Sequence, residues 1–187
     1  MKLEMLEKDL YYHIYNRGND SEVIFRNDEN KRYFLSLAAK HLDQAVSILA
    51  YCLIDNHYHF LLKIDTEEHT ATQKFSNLFN AYAKAYNKRF NRTGSLFEKH
   101  FRRKKITSEA YLRNLIIYIH RNPLNHGVTP DFANFKFSSY RFCIEPLLSS
   151  PIALDKEETI SYFDDLENFK FVHLRQANFR DEEGVDW

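Results

Sequence analysis

His57 and His59 stand two residues apart in the run His57–Ile64 (HYHFLLKI). On an extended chain successive side chains alternate between faces, so both imidazoles leave one face while Tyr58 and Phe60 leave the other. Two imidazoles side by side can chelate one metal ion, or they can be surface or hydrogen-bonded histidines; the spacing alone leaves both open. Tyr118 and Asn122 lie four apart in a helical pattern, which stacks them on one side, beside an apolar stripe of Leu112, Leu115, Ile116 and Ile119. A phenol at that margin can reach an active-site edge, or it can cover the rim of the core.

These residues need elements to position them. Tyr11–Asn16 (YYHIYN) reads as a first strand ending at a turn, Arg17-Gly18-Asn19-Asp20. Asp28 can cap a helix whose apolar positions Tyr33, Phe34, Leu37, Ala38 and Leu42 recur at helical spacing. Ser47–Ile54 and His57–Ile64 form a hairpin pattern around Asp55-Asn56, residues that tolerate tight-turn angles. Phe75, Leu78, Phe79, Tyr82, Tyr86 and Phe90 make one stripe of a long helix from Thr72 to about Arg92. Ser95–Ile106 alternates as a charged strand. Thr107 or Ser108 caps a third helix, which the Asn122-Pro123 step is expected to stop after Arg121. The order predicts an α+β fold, a ferredoxin-like βαββαβ antiparallel sheet with helices packed on one face, followed by a helical or irregular extension. Residues 1–145 are expected to form the catalytic domain and 146–187 an acidic C-terminal extension.

The chain has 187 residues, 44% hydrophobic, 28% charged and 16% aromatic, enough apolar material for a sizeable core, which excludes disorder as the default. No apolar run is long enough for a spanning helix, and the charged N-terminus does not read as a signal peptide; a cytoplasmic protein without membrane contact is expected. Cys52 and Cys143 are too far apart in sequence for a metal knuckle. Lys plus Arg balances Asp plus Glu at 26 each, but unevenly along the chain. Residues 84–105 carry nine Lys or Arg against one acid, whereas 155–187 carry ten acids against four. That asymmetry suits a polyanion-binding surface, though a solvated helix face produces similar runs.

Taken together, the spaced motifs resemble the single-tyrosine branch of the HUH endonuclease superfamily, and within it the REP-associated tyrosine transposases related to small insertion-sequence transposases. The resemblance rests on Tyr12-His13-Ile14, Asn16-Arg17-Gly18, Asp55-Asn56-His57-Tyr58-His59, Gly94-Ser95-Leu96-Phe97, Tyr118-Ile119-His120-Arg121-Asn122-Pro123, Gly127 and Ser138-Ser139-Tyr140. Asp55 stands where the family usually has Pro, and Asn125-His126 where it often has a basic residue and a small one ahead of the Gly.

The resemblance implies that His57, His59 and Asn122 hold one divalent ion, Mg²⁺ or Mn²⁺, and that Tyr118 is the nucleophile of a DNA-cleaving and rejoining reaction through a 5′-phosphotyrosine. A free phenol titrates near pH ~10, so its ionisation needs assistance; the residues name no base. The implied partner is single-stranded or hairpin DNA, bound by a monomer as in the REP-associated branch or by a dimer as elsewhere in the superfamily. DNA contacts are expected from Arg17, Lys84, Lys88, Arg102, Arg103, Lys104 and Lys105, with Phe97, Phe101 or exposed tyrosines as base-stacking candidates. Two rival readings are a ferredoxin-like module that binds single strands without cutting, and a metal-dependent hydrolase with water as nucleophile.

Overall fold

The computed structural model describes residues 4–175. Its first strand, β1 (Tyr11–Arg17), runs through the middle of a sheet. Helix α1 (Asp28–Leu42) follows, then the hairpin β2 (Val46–Ile54) and β3 (His57–Ile64), helix α2 (Glu68–Arg89), strand β4 (Arg102–Lys105) and helix α3 (Glu109–Asn125). Three short helices close the described chain: α4 (Tyr140–Ile144), α5 (Lys156–Ser161) and α6 (Leu166–Arg175). The expected acidic tail beyond Arg175 lies outside the described residues.

The strand order is β2-β3-β1-β4, every neighbouring pair antiparallel. This is the βαββαβ arrangement that the order of elements predicts. Alternation divides the side chains cleanly: Tyr12, Ile14, Tyr58, Phe60 and Leu62 pack with α1 and α2 in one apolar cluster. On the other face Leu61, Leu49 and Cys52 pack with α3, α4 and α6 in a second cluster. The sheet is thus covered twice, by α1 and α2 as expected and by α3 on the side the histidines face.

Several boundaries differ from the sequence reading. Asn27, not Asp28, caps α1, its side chain accepting the Asn30 N–H. The charged strand shrinks from Ser95–Ile106 to Arg102–Lys105, because Leu96, Phe97 and Phe101 turn inward to pack on α2 and His100 takes a positive φ of 60°. Burial likewise removes Phe97 and Phe101 from the base-stacking candidates. Helix α3 continues through Pro123 to Asn125. Pro123 forgoes the one ladder bond that an N–H there would make to Ile119, and its carbonyl accepts from Val128 N–H.

Two contacts fix the histidine hairpin. Gly18 donates its N–H to the Asn56 carbonyl at 2.9 Å, and a Cβ there would come within 2.0 Å of the Glu22 carbonyl, so only glycine admits this approach. Lys31, its side chain 7% exposed, reaches from α1 to Asp55 at 2.7 Å. Asp55 therefore anchors the turn ionically. The outer edge of β2 is covered by later chain: Leu53 N–H donates to Phe137 and Asp155 N–H to Ile48. Both cysteines are buried and free. Among the described residues, no helix is long and apolar enough to cross a membrane.

Candidate active site

Strand β3 opens with His57 and His59 on the face that α3 covers, and both are buried because α3 lies across them. Asn122, one turn beyond Tyr118, points its carboxamide between the two rings. Its Oδ1 is 3.2 Å from His57 Nε2 and its Nδ2 is 3.3 Å from His59 Nε2. The Tyr118 ring, partly buried as its place beside the apolar stripe predicts, stands edge-on to His59 with centroids 5.5 Å apart. The two histidines, the asparagine and the tyrosine therefore meet at one place.

The register of β1 against β3 adds residues whose part the sequence reading missed. His13 Nε2 lies 2.8 Å from His59 Nδ1, and the His13 ring stacks on Tyr15 with centroids 4.3 Å apart. His57 Nδ1 meets Asn56 Oδ1 at 2.8 Å, and the His126 ring lies 4.6 Å from that of His57. His13 already stands in the Tyr-His-Ile motif, but its place beside His59 depends on a pairing 46 residues apart, which no local spacing encodes. His120 points the other way: buried, it lies 2.9 Å from His173 Nε2 and 2.8 Å from Ser139 Oγ, tying α3 to α6 and to the segment beside β2.

Electrostatics keep the imidazoles neutral. Burial, helped by His126, pushes His57 down to about 3, and burial with the neighbouring histidines pushes His59 well below its ordinary value. A neutral imidazole donates from one nitrogen only. With the carboxamides in this orientation His57 faces two amide oxygens, Asn56 Oδ1 and Asn122 Oδ1, so one of the two pairings sets lone pair against lone pair. If Nδ1–H is given to Asn56, the Nε2 lone pair of His57 and Asn122 Oδ1 converge on one point, which a cation between them would resolve. Among the described residues no group of three His, Cys, Asp or Glu side chains could hold a metal. Two imidazoles and one amide oxygen converge here, donor types whose chemistry suits a divalent ion, Mn²⁺ better than Mg²⁺.

The basic residues divide by strand alternation. Arg102 pairs with Tyr15 and Lys104 with His13, placing both on the histidine face, and Arg17, opposite His57, is there too. Glu98 bridges Arg17 and Arg102. Lys104 Nζ lies over the Tyr111 ring at 4.8 Å. Arg103 and Lys105 pair with Ile14 and Tyr12 and so point to the opposite face, where Lys105 meets Glu7 at 2.9 Å. Lys84 and Lys88 are exposed on α2, also on the far side of the sheet from the histidines.

A family model described as "Transposase IS200 like" matches residues 7–122, ending on Asn122. Among solved structures, the chain is similar to a REP-associated tyrosine transposase bound to a REP hairpin, at 14% identity with a TM-score of 0.63, covering 81% of this chain and 88% of that one. A bacterial tRNA(His) guanylyltransferase-like protein in complex with GTP gives a TM-score of 0.44 at 10% identity, covering 71% and 73%. The tRNA(His) guanylyltransferase of Saccharomyces cerevisiae gives 0.42 at 15% identity, covering 90% and 84%. A search of curated proteins finds no match.

Proposed function

This chain belongs to the IS200-like transposase family, and from that premise we propose that it is a REP-associated type of single-strand transposase that nicks and rejoins DNA through Tyr118. The Tyr118 hydroxyl gives up its proton to solvent as its oxygen attacks the scissile phosphorus. The bond from phosphorus to the 3′-oxygen breaks, the 3′-oxygen leaves as a hydroxyl by taking up a proton, and the DNA stays attached as a 5′-phosphotyrosine. The phosphoester energy is thereby kept, and a second 3′-hydroxyl can reverse the step to join a new end.

His57, His59 and Asn122 would hold a divalent metal ion. When bound, that ion supplies charge neutralisation at a phosphate oxygen. His13 and Asn56 orient the two imidazoles through their Nδ1 atoms, leaving both Nε2 atoms for the site. Arg17, Arg102 and Lys104 receive the strand on the histidine face. A strand free of pairing partners can be laid across this face with its phosphates against these cations. In this reading residues 1–145 are the catalytic unit and 146–187 an acidic C-terminal extension, and the protein acts as a monomer in the cytoplasm on single-stranded or hairpin DNA.

The observation that supports this reading above the others is the approach of the Tyr118 ring to His59 while Asn122 joins both imidazoles. The test is to incubate the protein with labelled single-stranded and hairpin oligonucleotides from the flanks of its own gene, with Mn²⁺ or Mg²⁺. A protein–DNA adduct that survives denaturation and disappears in Tyr118→Phe is expected. Binding without cleavage would instead mark a binding module, and cleavage without an adduct a hydrolase.

A further inference from the structure

Arg103 lies on the face away from the histidines, yet it is not a solvated surface charge. Its side chain enters the wall of a cavity of about 520 Å³ between α2 and the loop 94–101. The guanidinium lies over the Phe101 ring at 4.3 Å, which fixes its plane. Its buried Nε has no hydrogen-bond partner among the described residues. Burial lowers the pKa of the group, while Glu68 and Glu4 oppose that only through space. A half-buried guanidinium with an unused donor is costly unless something hydrogen-bonds to it.

The rest of the wall narrows what that partner is. Thr72, Ser76 and Asn80 line it from α2, offering both donors and acceptors, and Lys99 stands at the exposed rim. A phosphate, which only accepts, would leave those acceptors unused; a nucleobase presents both kinds of atom and a flat face. Access to the histidine side is short, since β4 is a four-residue edge strand and Glu98, which also lines the cavity, reaches Arg17 and Arg102 on the other face.

The geometry points to a base-recognition pocket: one unstacked base of the bound strand, with paired acceptors like O6 and N7 of guanine, enters between α2 and the loop 94–101 and is hydrogen-bonded by Arg103. This rests on the reading of the protein as a single-strand DNA enzyme and names a determinant of its specificity. The strand would pass around the β4 edge, with the specifying base on one face and the cleaved phosphate on the other. Arg103 would then be a specificity residue, distinct from the phosphate-contacting Arg102 and Lys104.

The test uses the full chain and two fluorescent oligothymidylates of about 15 nucleotides, a length that covers typical single-strand sites. One is plain and the other carries a single central guanine; a third probe replaces that guanine with 7-deazaguanine. The wild-type protein is expected to prefer the guanine probe by roughly 5- to 100-fold, as a bidentate arginine contact provides, and 7-deazaguanine should lose most of the preference. Arg103→Lys keeps the charge but not the fork, and Ser76→Leu fills the cavity from α2. In each variant, with circular dichroism showing the fold retained, the guanine-to-thymine affinity ratio should fall toward one. A ratio near one in the wild type overturns the pocket, as does a ratio that survives Arg103→Lys while both affinities drop together, the mark of a phosphate contact. Failure of the wild type to bind any of the three probes overturns the single-strand reading along with the pocket.

Discussion

The ring of Tyr118 meets that of His59 edge-on, at 83° and 5.5 Å between centroids, across the boundary between α3 and β3. Helix and strand are joined here by no covalent neighbourhood, so the pairing depends on how α3 is seated on the sheet. The consequences can be tested residue by residue.

Removing only the hydroxyl separates chemistry from packing. Tyr118→Phe retains the ring against His59 at a partly exposed position, so folding stability should change by less than about 0.5 kcal/mol. The covalent DNA adduct should nevertheless fall below detection. A denaturant midpoint and an adduct gel on the same preparation check both halves; a large loss of stability would mean that the hydroxyl serves the fold.

His13 is expected to govern metal affinity although it is outside the proposed donor set. Its Nε2 holds His59 Nδ1 and thereby fixes which nitrogen of His59 faces Asn122. Losses of about 10- to 100-fold in metal affinity are typical when such a partner is removed. His13→Ala should weaken Mn²⁺ binding to that extent by calorimetry without added DNA. Unchanged affinity would show that the imidazole pair is oriented by the strand backbone alone.

Acid should unfold this protein early. His57 and His173 are pushed down to about 3 by burial, and His59 and His120 also lie well below the ordinary value of 6.5. Between pH 6.5 and about 3 the unfolded chain therefore binds more protons at His57 and His173 than the folded one. Stability is complete above the unfolded value and falls as pH drops, by up to about 1.4 kcal/mol per pH unit for each such group. Melting curves of the metal-free protein should shift steadily downward from pH 7 to pH 4.5. A flat profile would mean that these rings become charged in the folded state.

The Asp55–Lys31 pair should behave as a paired substitution. Lys31 is nearly buried but Asp55 is 61% exposed, which screens the pair. Asp55→Ala leaves the ammonium against Phe135 and Phe137 without its carboxylate and should cost about 1–2 kcal/mol. Lys31→Met in the same background should recover much of that loss in urea melts. Additive losses from the two changes would refute the coupling.

Much of this architecture was legible in local pattern. The two-residue period placed His57 and His59 on one face and Tyr58 and Phe60 on the other, and the 3.6-residue period put Tyr118 and Asn122 on one side of a helix. Both periods follow from backbone geometry within a few residues. The apolar stripes of α1, α2 and α3 and the Asp55-Asn56 turn were legible for the same reason. Local rules failed where a distant contact outweighed them: the Ser95–Phe101 stretch alternates like a strand, but Leu96, Phe97 and Phe101 gain more by burying against α2 than by extending the ladder.

By itself the sequence determined the elements, their order and which side chains share a face, since each is set by spacing along the chain. Tertiary structure alone decided that His13 stands beside His59, that Arg102 and Lys104 share the histidine face while Arg103 and Lys105 do not, and that α3 covers the side opposite α1 and α2. Strand register and the choice of face are long-range pairings. Their free energy lies in contacts between residues dozens of positions apart, and no single stretch of chain contains both partners.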